Sequence, residues 1–152
     1  MPSRSGGFTL IEVLISLTVV GLLFGFGFAN FRDYSRRQQL VSAARTITGE
    51  LRLVQSKASA GEKPAGCATL SSYSFRINTA SYQTAAVCSG GSIPIKTENL
   101  PSGITLSAVG DNPIYFKVLG QGITGSGVII TLTQTGTSNT TMVTVTQGGE
   151  IK

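Results

Sequence analysis

The chain has 152 residues, enough for one domain and an anchor, and carries a net charge of +5 on only 12% charged residues. It contains no histidine, which excludes the usual general base, a Ser-His-Asp triad and an imidazole ligand for zinc. The acids Asp33, Glu50, Glu62, Glu98, Asp111 and Glu150 show no paired spacing, so no catalytic residues, metal site or cofactor are expected, and a lysine- or carboxylate-based membrane-tethered enzyme is only a remote alternative.

Residues 1–7 form a short polar leader that carries Arg4 and ends in Gly6-Gly7. An apolar run follows from Phe8 to Phe31, interrupted by one acid, Glu12. As a helix of 24 residues the run would rise about 36 Å, against about 30 Å for the hydrocarbon of a bilayer, so it can span with some tilt. A carboxylate in hydrocarbon costs roughly 2.5–3.5 kcal/mol on insertion scales, which marks Glu12 as a functional residue in need of a partner. An ordinary secretory signal is cut after its apolar stretch. Here the glycines precede the stretch, and cutting after Gly7 would leave the span attached with a new α-amino group on Phe8. That amine would lie one helical turn from Glu12, in reach within one chain or from a neighbouring chain.

The stretch Gly7-Phe8-Thr9-Leu10-Ile11-Glu12-Val13-Leu14 resembles the N-terminal signature of the type IV prepilin superfamily, which includes type IV pilins and the pseudopilins of type II secretion. The resemblance implies cleavage after Gly7 by a prepilin peptidase, N-methylation of Phe8 and pairing of Glu12 with the Phe8 amine of an adjacent subunit. The implied partners are the peptidase/methyltransferase, other pilins or pseudopilins in a filament, and the membrane. The implied location is the inner membrane in a single pass, with an extracytoplasmic head and a periplasmic or cell-surface filament after assembly.

Past the span, Arg32, Arg36, Arg37, Arg45, Arg52 and Lys57 outweigh Asp33 and Glu50. Arginines just beyond a span commonly reach for headgroups. A count of positive charge alone would place the C-terminal part in the cytoplasm, whereas the leader and the cysteines favour an exported one. Leu40, Ala44, Ile47, Leu51, Val54 and Ala58 recur in steps of three and four, which extends the helix to about residue 59 with an amphipathic upper half. Gly21 and Gly25 form a small-xxx-small pair suited to close helix packing, with local unwinding as the alternative.

Gly61-Glu62-Lys63-Pro64-Ala65-Gly66 reads as a linker, after which the period changes to two. Half-buried strands are expected around Tyr73-Phe75-Ile77, Ile104-Leu106, Ile114-Phe116-Val118, Val128-Ile130-Leu132 and Val143-Val145, with turns at Ser89-Gly90-Gly91-Ser92 and Gly136-Thr137-Ser138-Asn139. The expected fold is α+β, a long N-terminal helix packed on a small antiparallel β head. Its parts are a leader 1–7, a transmembrane and assembly half 8–31, an amphipathic half 32–59 and a head 60–152.

The segment from Ile114 to Lys152 resembles the C-terminal half of minor pilins and pseudopilins of the GspH/FimT type. Some of these bind DNA near a final glycine-containing strand end, where this chain has Gly148-Gly149-Glu150-Ile151-Lys152, with an acid in place of a base. Cys67 and Cys88 are the only cysteines, and an even count in an exported head favours one disulfide over two free buried thiols. The leading expectation is therefore a structural subunit of a type IV pilus or type II secretion filament. The alternative is a DNA-binding minor pilin, but the region from residue 59 onward carries a net charge of only +1, so nucleic acid is not an expected partner.

Overall fold

The computed structural model describes residues 7–152; residues 1–6, the body of the expected leader, and the side chains of residues 26–30 lie outside the description. One helix, α1, runs Leu10–Ala60. The chain divides into two compact units, the first ending at Arg36 and the second running Arg37–Lys152.

The first unit is helical from Leu10 onward, and neither Gly21 nor Gly25 interrupts it. Every described residue from 7 to 25 is exposed. The unit therefore has no core of its own, and its apolar surface is left for a surrounding phase or a partner.

The second unit begins with the remainder of α1. Leu40, Ala44, Ile47, Leu51, Val54 and Ala58 are between 0 and 7% exposed, so the stripe at helical spacing is the face that docks. The helix stops at Gly61, whose φ of +62° is the left-handed conformation that glycine adopts without steric cost. There the Gly61 N–H donates to the Ala58 carbonyl and the Glu62 N–H to the Lys57 carbonyl, closing the helix in a Schellman turn.

Eight strands follow: β1 Leu70–Ile77, β2 Ser81–Cys88, β3 Gly91–Asn99, β4 Ile104–Gly110, β5 Ile114–Lys117, β6 Ile123–Thr124, β7 Gly127–Gln134 and β8 Thr140–Thr146. They form two antiparallel sheets, a five-stranded one in the order β3-β2-β1-β5-β6 and a three-stranded one in the order β4-β7-β8. Tyr73, Phe75, Ile114, Phe116, Ile130, Leu132 and Val145 are at most 1% exposed and share one core with the helix stripe. Each expected strand is present, except that Val118 leaves β5 for a single 3₁₀ turn, Val118–Gly120.

Three strands had no forecast: β2, β3 and the two-residue β6. β2 (Ser-Tyr-Gln-Thr-Ala-Ala-Val-Cys) lies between β1 and β3 and buries Tyr82, Thr84, Ala86 and Cys88 on one face, but its small and polar residues give the sequence no apolar alternation. β3 is the edge of its sheet, no residue in it is buried, and it carries Pro94, Lys96 and Glu98. Proline and charge on an edge strand discourage pairing with a further chain.

Three side chains and a disulfide tie loops to this frame. The Tyr73 hydroxyl donates to the Glu62 carbonyl at 2.7 Å, and the Gln55 amide donates to the Gly149 carbonyl at 2.7 Å. The Asn112 side chain imitates a strand partner, accepting from the Ile77 N–H at 2.9 Å and donating to the Ile77 carbonyl at 2.8 Å. Cys67 and Cys88 are joined, so the linker is held at the end of β2. On the chain-entropy model a loop of this size stabilises by about 3 kcal/mol.

Candidate assembly site

The helix begins at a polar cap. The Thr9 carbonyl accepts the N–H groups of Glu12 and Val13 at 3.1 and 3.3 Å, and the Thr9 hydroxyl oxygen accepts the Glu12 N–H at 3.4 Å. Thr9 is thus the N-cap, and Glu12 stands three residues on, at the acidic position of a capping box. The Thr-x-x-Glu spacing was legible in the sequence, yet attention to the acid alone passes over the threonine. In the first turn the carboxylate also meets the positive end of the helix dipole.

The other polar side chains nearby are satisfied by the helix itself. The Ser16 hydroxyl donates to the Glu12 carbonyl at 2.7 Å, and the Thr18 hydroxyl donates to the Ile15 carbonyl at 2.8 Å. Such back-bonding is how hydroxyls are accommodated where water is scarce. The Glu12 side chain differs: among the described residues it has no hydrogen-bond or ion-pair partner. Around it Phe8, Leu10 and Ile11 are 83, 80 and 67% exposed. The arrangement is one acceptor in a field of exposed apolar surface, which suits a single cationic donor arriving with an apolar neighbour.

Gly7 and Phe8 precede the helix, and Glu12 sits in its first turn. Gly21 and Gly25 lie one turn apart, and a methyl added at either would meet nothing within 4 Å. Both positions are open for close approach by another helix. Among the described residues no helix is long and apolar enough to cross a membrane. The span expected from the sequence runs through residues 26–30, whose side chains are outside the description.

In the second unit the ionic groups close on one another. Lys96 bridges Glu50 and Glu98, Lys57 pairs with Glu62 at 3.0 Å, and Lys152 pairs with Glu150 at 3.2 Å. Hydrogen bonds to Glu62 and to Glu50 hold the Lys57 and Lys96 ammonium groups above the ordinary lysine value. Burial pushes the Tyr73 and Tyr82 phenols up from theirs. Asp111 accepts the N–H groups of Ser126 and Gly127 at 2.8 and 3.3 Å.

Residues 2–28 match the family model described as the prokaryotic N-terminal methylation motif. No curated protein sequence matches the chain. Among solved structures, the minor pseudopilin EpsH from the Type 2 Secretion System of Vibrio cholerae matches with a TM-score of 0.60 at 13% identity, over 75% of this chain and 94% of that one. At that identity the likeness speaks for the fold, and the motif speaks independently for the N-terminus. The chain thus joins the N-terminal methylation motif to a long helix and a head whose fold is similar to that of a minor pseudopilin.

Proposed function

We propose that the chain is a minor pilin or pseudopilin of a type IV pilus or type II secretion filament, cut after Gly7, methylated on Phe8 and held to its neighbour through Glu12. The observation that carries this is the Glu12 carboxylate, which has no partner among the described residues and lies one turn from Phe8 on a wholly exposed apolar helix. A methylated α-amine on the Phe8 of an adjacent subunit supplies the missing cation. The pair forms only when helices are stacked in register, so the burial cost of each charge is offset in the filament alone. In this reading residues 8–31 anchor the subunit in the inner membrane before assembly, residues 32–59 dock on the head, and residues 60–152 are extracytoplasmic. The prepilin peptidase acts on the leader, residues 1–7, and Gly21 and Gly25 admit a neighbouring helix.

Intact-mass measurement of protein extracted from membranes tests the proposal. The expected mass lacks residues 1–7 and carries one extra methyl group. A leader retained in cells with an active prepilin peptidase would overturn it.

One observation favours the second reading, nucleic-acid binding. An open groove between α1 and β8 is lined by Arg45, Arg52 and Lys152 together with Val41 and Met142, and no acid lines it. Three cations supply a weak, salt-sensitive hold on phosphate, which ranks this reading below the structural one.

A further inference from the structure

The first charges past the apolar run fall within little more than one turn of α1. Arg32 and Asp33 are exposed, Arg36 is half-buried, and none of the ion pairs among the described residues includes any of the three. Arg32 and Arg36, four residues apart, share one face of the helix. Phe31 and Tyr34, three apart, share another and are 67 and 62% exposed. Asp33 belongs to neither pair. The segment therefore carries two cations on one side and two aromatic rings on the other, the second ring ending in a hydroxyl.

The spacing of these groups along the helix matches the layers of a bilayer. From Arg32 to Arg36 α1 rises about 6 Å, close to the depth of one headgroup layer when about 30 Å of hydrocarbon lies within about 40–45 Å in all. In the other direction Glu12 precedes Arg32 by twenty residues, a rise of about 30 Å, which is the thickness of the hydrocarbon itself. With Arg32 level with one boundary of the hydrocarbon, Glu12 lies at the opposite one. Its carboxylate stays wet there, and its burial cost is deferred until a neighbouring subunit is present. An apolar run that ends in rings and then guanidinium groups follows the order in which side chains settle across such a boundary.

We propose that Arg32 and Arg36 bind the phosphate of an anionic phospholipid, with Phe31 and Tyr34 beside its glycerol and upper acyl chains. The inference rests on the reading of the chain as membrane-anchored, and names the lipid class that the anchor selects. A guanidinium presents paired N–H groups that match two oxygens of a phosphate, so the contact is directional as well as electrostatic. A zwitterionic lipid also carries a phosphate, but its own ammonium group competes for it. An acidic side chain of another protein is the rival occupant. Position favours the lipid, because both cations lie within about 8 Å of the end of a run long enough to span.

The test reconstitutes the full-length protein in nanodiscs of equal parts phosphatidylcholine and phosphatidylglycerol, and native mass spectrometry counts the lipids that stay bound when the disc is removed. At about fivefold per arginine, the wild type should retain phosphatidylglycerol over phosphatidylcholine by about 25-fold, and Arg32→Gln with Arg36→Gln should retain the two about equally. Arg45→Gln with Arg52→Gln removes the same charge from the second unit and should keep the wild-type ratio. Equal ratios in the wild type and the Arg32/Arg36 variant, or an equal loss in the Arg45/Arg52 variant, overturn the headgroup site and leave the anchor intact. Displacement of the lipid by millimolar inorganic phosphate also overturns it, since a lipid held through its chains as well should not exchange with the free ion. An Arg32/Arg36 variant that binds lipid as the wild type does but fails to join filaments overturns it in favour of an acidic protein partner. If alkaline carbonate washes the wild-type chain from vesicles, the anchor reading itself falls and the headgroup site with it.

Discussion

The two units of this chain treat their polar groups in opposite ways. In the second unit the five carboxylates Glu50, Glu62, Glu98, Asp111 and Glu150 all have a partner within the chain, and the large apolar residues enclose one core. In the first, the apolar residues described are exposed and Glu12 has no described partner. The head engages all of its carboxylates and encloses one core, so its stability belongs to the isolated subunit. The described part of the N-terminal helix is unsaturated, exposing its apolar residues and leaving Glu12 without a partner among the described residues, as the proposed passage from membrane to filament would require.

The comparison breaks most visibly at Glu12. Glu12→Val removes a charge from the apolar run, so insertion should persist, while incorporation into filaments beside wild-type subunits should fall to background. Thermal unfolding of the head should not change. Normal incorporation of the variant, read by immunoblot of sheared filaments, would mean that the carboxylate has no partner role. Glu12→Gln adds a finer test, because it keeps an acceptor at the capping-box position but loses the charge; it should fail nearly as badly as the valine if the ion pair matters.

Substitutions in the head should do the reverse. Leu51, 0% exposed, lies at the centre of the docked helix stripe, and Leu51→Ala leaves a cavity that should cost about 3–4 kcal/mol. For a unit of this size that lowers the melting temperature by roughly 10 °C or more. Cys67→Ser opens the loop to Cys88 and should cost slightly less, about 3 kcal/mol. Calorimetry of the full chain in detergent separates these effects from assembly, and a loss under 1 kcal/mol for Leu51→Ala would show that α1 is not an integral part of the core.

Legibility followed the same division. The stripe Leu40, Ala44, Ile47, Leu51, Val54 and Ala58 could be read because one face is buried and the other wet, which imposes a period on the sequence. The same alternation betrayed β1, β4, β7 and β8. β2 and β3 escaped for two physical reasons. β2 buries Tyr82, Thr84, Ala86 and Cys88 on one face, but that face mixes a threonine and a cysteine with apolar residues and the half-buried face holds Val87, so its hydropathy does not alternate. β3 overhangs as an edge, so it selects for proline and charge instead of apolar residues. The splitting of the head into two sheets was also invisible, since pairing order is decided by long-range packing that no local pattern records. At the N-terminus the sequence displayed Gly7, Phe8 and Glu12 plainly. Thr9 was missed because its role is to cap a backbone, and a cap leaves only the three-residue spacing to the acid as its mark.

Alkaline pH offers a way to sharpen the contrast within the head. Hydrogen bonds to Glu62 and Glu50 hold Lys57 and Lys96, and burial holds the Tyr73 and Tyr82 phenols, above their ordinary values in the folded state. A group raised on folding binds its proton more tightly in the native state. Its contribution is fully present below the unfolded value and is lost as pH rises through the folded one. The melting temperature should therefore show no dependence on these groups between pH 7 and about 9 and should fall above about pH 10. Tyr73→Phe should flatten part of that fall at the cost of the hydrogen bond to the Glu62 carbonyl. A decline that begins near pH 8 would point to groups other than these four, and the chain has no histidine to supply one.

The smallest expected effect concerns cations of the head that lack an ion-pair partner. Its carboxylates are all engaged, but Arg45 and Arg52 have no ion-pair partner among the described residues and face the same groove as Lys152 and the exposed Met142. If that groove met duplex DNA, the three cations would release about three counterions, and log K would fall with log salt at a slope near −3. Affinity at physiological salt should be about 100 μM, in the range of non-specific contact. Titration of the full chain in detergent with a fluorescent duplex at several salt concentrations measures both quantities. Replacing Arg45 and Arg52 by glutamine should reduce the slope by about two and leave filament incorporation and head stability unchanged. Micromolar binding lost in that variant would show that the head, too, completes itself on a partner, and the contrast between the two units would then be one of chemistry rather than of saturation.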